Sequence, residues 1–260
     1  MPSTLDRLRS AIRSVATAPH RFFDRRSASL AAAFVVVLAV AIGVSLGVLA
    51  LGVVFDATID ATVTVENPDR PPEWVCEQHG TESPDDGAGA GTYAPDDPFA
   101  SACEEPEYVD VDAGSELRDA VGGYVHYGFL GVLIWWVFSA GVFHAAALFA
   151  GGSARFGASL VAAAWALVPE LLRMGAVLAL LYATLRSTTV TDAGMEALAD
   201  DVLDALVAIE PRILVVSLVT VSLEWWILAA AGESFHDLSR TSAAVAAAVP
   251  AGFSLIAALV

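Results

Sequence analysis

Uninterrupted apolar runs divide this chain into five segments that are long enough to cross a membrane. Three of the runs contain no Asp, Glu or Arg, and the other two carry one or two charged residues in an otherwise apolar stretch. In chain order, the predicted spans are 29–55, 124–150, 157–185, 213–231 and 241–260. A helix needs about 20 apolar residues to cross roughly 30 Å of hydrocarbon. The pattern therefore predicts an all-α integral membrane protein with five transmembrane helices.

Two segments outside these spans have apolar residues at helical spacing. In segment 1–28 they are Leu5, Leu8, Ile12 and Val15. In segment 186–211 they are Met195, Leu198, Val202, Leu206 and Ile209. Segment 1–28 predicts a basic amphipathic helix that either anchors the chain on the inner surface or recruits a partner or anionic lipid. Segment 186–211 predicts an amphipathic helix on the outer surface, with Pro211 opening the fourth span.

The long segment 56–120 predicts an acidic outer loop with some ordered structure. Residues 62–65 and 108–111 alternate like two short strands that can pair into a β-ribbon. The only two cysteines, Cys76 and Cys103, lie between them, and an oxidising exterior favours a disulfide. The alternative is a zinc site, because Cys76 and His79 have a C-x-x-H spacing.

Charge refines this picture. The chain has 260 residues, is 56% hydrophobic and has a formal net charge of −17, so an ordinary soluble domain is excluded. All 13 basic residues are arginine, and this acidic, lysine-free balance predicts a halophilic source. Without a basic face beyond the N-terminal segment, nucleic acid is not expected as a partner.

The placement of charge predicts the orientation. Segment 1–28 holds six arginines and two acids, whereas loop 56–120 holds 18 acids and only Arg70 and Arg118. Arginine-rich segments stay in the cytoplasm, so we expect a cytoplasmic N-terminus, an extracellular C-terminus and a location in the cell membrane. The two short inner loops, which contain Arg155 and Arg240, agree with this orientation.

Ionisable residues inside the predicted spans are the candidate site. Glu170 and Arg173 share one helical face directly after Pro169, and Glu224 lies in the next span. Charges at this depth are costly, so these groups should face one another or water. Two interpretations stay open: a proton or solute pathway at a helix broken by Pro169, or an Arg–carboxylate clamp that fixes helix packing. Separately, Gly43 and Gly47 form a GxxxG pattern, which allows close helix packing.

Spaced single residues near both ends of the chain carry a family resemblance. They are Pro19-His20-Arg21-Phe22-Phe23, Phe143-His144, Gly151-Gly152, Pro169, Trp225-Trp226 and His236 before an alanine-rich last span. In these residues the chain resembles the prokaryotic and haloarchaeal branch of the Yip family (Ypt/Rab-interacting-protein-like), which consists of five-span membrane proteins. The resemblance implies a cytoplasmic N-terminus and an all-helical core. Eukaryotic relatives bind Rab-type GTPases, but the short N-terminal segment and the large cystine-bearing loop argue against such a partner here.

Two functions follow from the sequence. The chain lacks the G-x-S-x-G, H-E-x-x-H, P-loop and GxGxxG motifs, so we expect no enzyme activity and no cofactor. The first hypothesis is a scaffold or adaptor that organises the lipid bilayer, other membrane proteins or copies of itself. The alternative is a small-solute or proton-coupled transporter that uses Glu170, Arg173 and Glu224.

Overall fold

The computed structural model describes residues 19–24, 29–80, 102–103, 105–153, 155–187 and 195–259. Over this part of the chain the structure is mostly helical, with one two-stranded ribbon. In chain order the elements are α1 (Pro19–Asp24), α2 (Leu30–Thr58), β1 (Thr62–Glu66), α3 (Glu73–Gly80), β2 (Tyr108–Asp112), α4 (Ala113–Gly122), α5 (Val125–Phe149), α6 (Phe156–Ala166), α7 (Val168–Leu185), α8 (Met195–His236) and α9 (Arg240–Leu259).

Five helical stretches are long and apolar enough to cross a membrane, which confirms the predicted number of spans and the all-α class. They are Leu30–Thr58, Ala113–Phe149, Phe156–Leu185, Val202–His236 and Arg240–Ala258. Large apolar side chains on their outer faces are more than half exposed, among them Val35, Ile42 and Ile134. An outer surface of this kind suits lipid rather than water. The chain is therefore a multi-pass membrane protein.

Helix α2 buries one face within the bundle. Its residues Val37, Val40 and Ala41 are fully buried or nearly so, because α5, α6 and α7 all pack against this helix. Small residues dominate the other contacts; Ala164 and Ala230 have no exposed surface. Alanine-rich faces let backbones approach closely, and close packing is the main attraction between helices in lipid.

Helix α8 differs from the predicted pattern at its start. The structure has one 42-residue helix through Pro211, rather than a surface helix followed by a separate span. Before Pro211, Ala205 and Ile209 are buried against Leu181 and Leu185 of α7. Ile213, after Pro211, packs on the same cluster, so contacts on both sides of the proline hold the helix together where a backbone hydrogen bond is lost.

The ribbon and the disulfide predicted in the acidic loop are both present. Strands β1 and β2 pair antiparallel, with Thr62 opposite Asp112 and Glu66 opposite Tyr108. Cys76, on α3, is bonded to Cys103. Because both cysteines are used in this bond, neither is free to serve as a thiolate ligand in the alternative zinc site.

Helix α4 continues from β2 and packs on the C-terminal end of α2. An ion pair joins the two helices, with Arg118 Nη1 3.1 Å from Asp56 Oδ2. The ribbon and α4 therefore form one small layer over that end of the bundle.

Helix α1 packs at the opposite end of the bundle. The Phe22 ring meets Trp165 edge-on with centroids 4.7 Å apart, and Phe23 meets Phe235 in the same way at 5.2 Å. Both phenylalanines are at most 5% exposed. Helix α1 is therefore joined to the bundle at a fixed point, whereas the predicted amphipathic helix with Leu5, Leu8, Ile12 and Val15 lies outside the described residues.

Candidate functional site

The third span consists of two helices. Helix α6 ends at Ala166 and α7 begins at Val168, with Leu167 between them. Pro169 lies in the first turn of α7, where its missing N–H is tolerated, while its ring prevents α6 from continuing. This break places Glu170 in the first turn of α7, where the helix dipole favours a carboxylate.

Close packing against α2 fixes the position of α7. A Cβ atom at Gly43 would lie 2.5 Å from Leu171 Cδ2, and one at Gly47 would lie 2.5 Å from Met174 Cγ. The two glycines thus leave room for the side chains of Leu171 and Met174 on α7. The GxxxG pattern therefore lets α7 pack closely on α2, and this packing helps to position the neighbouring residues Glu170 and Arg173.

Glu170 and Arg173 form an ion pair on one face of α7. Arg173 Nε donates to both carboxylate oxygens of Glu170, at 2.8 and 3.1 Å, and Nη2 donates to Oε1. Both side chains are about one third exposed. The pair carries no net charge, and its two groups face each other as the clamp interpretation expects.

Glu224, on α8, has a different partner. Its Oε1 accepts a hydrogen bond of 2.9 Å from Ser254 Oγ on α9. Among the residues that the structure describes, Arg173 makes an ion pair only with Glu170. The three ionisable residues are therefore near one another, but Glu224 is not part of the arginine clamp.

A cavity of about 290 Å³ connects these groups. Pro169, Glu170, Arg173 and Glu224 all line it, so the structure brings the whole predicted cluster to one space. The other lining residues are Val44, Tyr127, Gly128, Gly131, Val132, Trp135, Ala166, Leu167, Thr220, Val221, Ser254, Ala257 and Ala258.

The cavity reaches toward one end of the bundle. Tyr127, near the start of α5, lines it together with Ala257 and Ala258 on the last turn of α9. This end of the bundle carries the C-terminus of α9, which the charge pattern predicts to be outside.

A second polar group, which the sequence did not predict as a site, lies near the other end of the bundle. Ser159 Oγ on α6 is 3.1 Å from His144 Nδ1 on α5 and 3.0 Å from His236 Nε2 on α8. Ser159 and His236 have no exposed surface. The serine hydroxyl thus links three helices, and we name these three residues the His–Ser–His bridge.

A glycine turn makes room for this bridge. Gly151, two residues after the end of α5, has φ +91°, a conformation that suits glycine. A Cβ atom at Gly152 would lie 2.9 Å from the Ala147 carbonyl oxygen and 3.2 Å from His236 Cβ. The chain can therefore pass close beside His236 only because this position has no side chain.

Sequence distances explain why the bridge was missed. His144 and Ser159 are 15 residues apart, and Ser159 and His236 are 77 apart. No local motif joins them. The predicted topology does contain a usable signal, since it places all three residues near the cytoplasmic ends of the second, third and fourth spans.

Comparison with curated proteins and with solved structures gave no match. A family model, described as the Yip1 domain, matches residues 12–260. The match covers all five membrane-spanning stretches, both halves of the broken third span and the His–Ser–His bridge. The chain therefore belongs to the Yip1 domain family.

Proposed function

We propose that this Yip1-domain protein is a non-enzymatic membrane protein that takes up a small solute in the cavity beside Glu224. This is the second of the two functions considered from the sequence. The observation that carries it is the cavity itself, because a purely structural clamp needs no open space next to its charged groups. Small-molecule sites combine an apolar wall with a few convergent polar groups, as this cavity does.

The broken third span supports the same function. Discontinuous membrane helices place polar residues and free backbone groups at the depth where transporters bind their substrates. Here the break at Leu167 and Pro169 puts Glu170 at the start of α7, beside the cavity. The Glu170–Arg173 pair then supplies polarity without net charge, and Glu224 is left to interact with the contents of the cavity.

Water access to Thr220 tests this proposal. We expect a cysteine at Thr220, which lines the cavity, to react with a small charged thiol reagent in lipid nanodiscs. Ser217→Cys is the matched control, since Ser217 lies one helical turn earlier, is fully buried and does not line the cavity. The native disulfide leaves both natural cysteines unreactive, so no background substitution is needed. Equal protection at both positions would refute an open cavity.

A specific observation also favours the other function, that of a scaffold or adaptor. Helix α1 is held to the bundle by Phe22 and Phe23, and this contact fixes where the arginine-rich segment joins the membrane-embedded part. A basic segment adjoining a helix that is packed on the bundle is suited to contacting membrane-protein partners or a second copy of the chain. The double change Phe22→Ala and Phe23→Ala should then abolish co-purification of those partners while the cavity stays accessible; unchanged co-purification contradicts the scaffold role.

We further propose that the N-terminus is cytoplasmic and the C-terminus extracellular. The arginine-rich N-terminal segment and the acidic layer around α4 support this orientation. An impermeant thiol reagent applied to intact cells should label Glu116→Cys on α4, which is outside in this topology, and should spare Ser153→Cys. The reverse labelling pattern would show the opposite orientation.

A further inference from the structure

The charges around the cavity do not balance. Among the described residues that line the cavity, Arg173 is the only cation, and it is already paired with Glu170 through two of its nitrogen atoms. Glu224 is the other ionisable carboxyl group in the lining. Its one hydrogen-bond partner in the described structure is the neutral hydroxyl of Ser254. With Glu224 ionised, the lining therefore has a net charge of −1.

The remaining polar groups do not compensate for this charge. The Thr220 hydroxyl is used within its own helix, where it donates to the carbonyl oxygens of Val216 and Ser217 at 3.1 and 2.9 Å. The Ser254 hydroxyl already donates its hydrogen bond to Glu224 itself. A carboxylate in a membrane interior is costly without a positive partner. The cavity therefore suits a cation better than an anion.

Aromatic rings in the lining are a second feature that suits a bound cation. Trp135 and Tyr127 of α5 both line the cavity, and the ring faces of Trp and Tyr attract organic cations. Gly131 lies between them on the same helix, and a Cβ atom there would meet none of the described atoms within 4 Å. The space beside α5 between the two aromatic residues is thus open. A volume of about 290 Å³ is near the lower limit for small-molecule sites.

We propose that the cavity binds a small organic monocation, an alkylammonium or quaternary ammonium ion, between the Glu224 carboxylate and the rings of Trp135 and Tyr127. This inference rests on the proposed function and names the chemical class of its solute. The carboxylate supplies the opposite charge, the rings supply apolar and cation–π contacts, and the size of the cavity limits the ligand to about one ring with its substituents.

Calorimetric titration with benzyltrimethylammonium tests the inference on the full-length protein in lipid nanodiscs. We expect saturable binding, with no binding of benzenesulfonate or benzyl alcohol, which resemble the probe without its positive charge. Glu224→Gln should weaken binding at least about ten-fold, and Trp135→Leu about five-fold. Glu224→Asp keeps the charge and should retain most of the affinity. Glu233→Gln on the same helix, outside this cavity, is the matched control and should bind like the parent protein.

The outcomes separate this inference from the proposed function. If Thr220→Cys is labelled but benzyltrimethylammonium does not bind, the cavity is open and the cation class is wrong. Binding of benzenesulfonate or benzyl alcohol as tight as that of benzyltrimethylammonium, or unchanged affinity in folded Glu224→Gln, also overturns the inference. If Thr220→Cys is protected as well, the proposed function itself fails. A Gly131→Leu variant, which fills the open space, should abolish binding without removing a charged group.

Discussion

Replacing Arg173 by leucine is expected to destabilise the protein more than replacing Glu170 and Arg173 together. Arg173→Leu leaves the Glu170 carboxylate without its cation in a partly buried, membrane-embedded site. The expected loss is roughly 2–3 kcal/mol, between the values for exposed and for buried ion pairs. In the double variant Glu170→Leu and Arg173→Leu, no charge is left unpaired. Thermal unfolding in detergent should therefore show that the double variant regains much of the lost stability.

Arg186→Leu is the matched control for this comparison. Arg186 follows α7 directly, is exposed and has no ion pair in the described structure, so its replacement should change the unfolding temperature little. If Arg173→Leu unfolds at the same temperature as the parent protein, the Glu170–Arg173 pair does not stabilise the folded bundle. If the double variant is no more stable than Arg173→Leu, the destabilisation comes from lost side-chain contacts rather than from an unpaired charge.

The second large effect is expected at the His–Ser–His bridge. Ser159→Ala removes the hydroxyl that contacts both His144 and His236, and each histidine then has a ring nitrogen without its present partner. A buried polar group left unpaired costs about 1–3 kcal/mol. The other ring nitrogen of His236, Nδ1, has no hydrogen-bond partner within the described structure. Loss of the Ser159 hydroxyl therefore removes the one hydrogen bond of this imidazole among the described residues. A loss of about 3 kcal/mol in unfolding free energy is the expected result.

The chain offers a close control for that substitution. Ser217 is also a fully buried serine in a membrane helix, but its hydroxyl has no hydrogen-bond partner in the described structure. Ser217→Ala should therefore be neutral or slightly stabilising. Equal losses for Ser159→Ala and Ser217→Ala would show that the bridge contributes nothing beyond the burial of its serine.

Regular sequence patterns predicted most of the fold. The five spans follow from apolar length, because a helix must satisfy its backbone within the hydrocarbon layer. The ribbon follows from the alternation at residues 62–65 and 108–111, and the disulfide from two cysteines in one outer loop. The contact of Glu170 with Arg173 follows from their spacing of three residues on a helix.

These sequence patterns could not predict which residues meet between helices that are far apart in the sequence. The bond from Ser254 to Glu224 joins residues 30 apart, and a serine in an apolar span gives no sign of which helix it faces. The His–Ser–His bridge depends in the same way on helix rotation and on the tight glycine turn at Gly152. Likewise, the helical path through Pro211 depends on packing against α7, which overrides the local tendency of proline to end a helix.

The cavity beside Glu224 should contain water or solute within the membrane-embedded bundle. Magnetisation transfer from water to the Glu224 side-chain carboxyl carbon, measured by solid-state NMR on the protein in lipid bilayers, detects this water. Ser217, buried on the same helix away from the cavity, is the internal reference. We expect transfer to Glu224 that is much faster than transfer to the Ser217 side chain. Transfer to Glu224 as slow as transfer to Ser217 would show a dry site and rule out the proposed solute cavity.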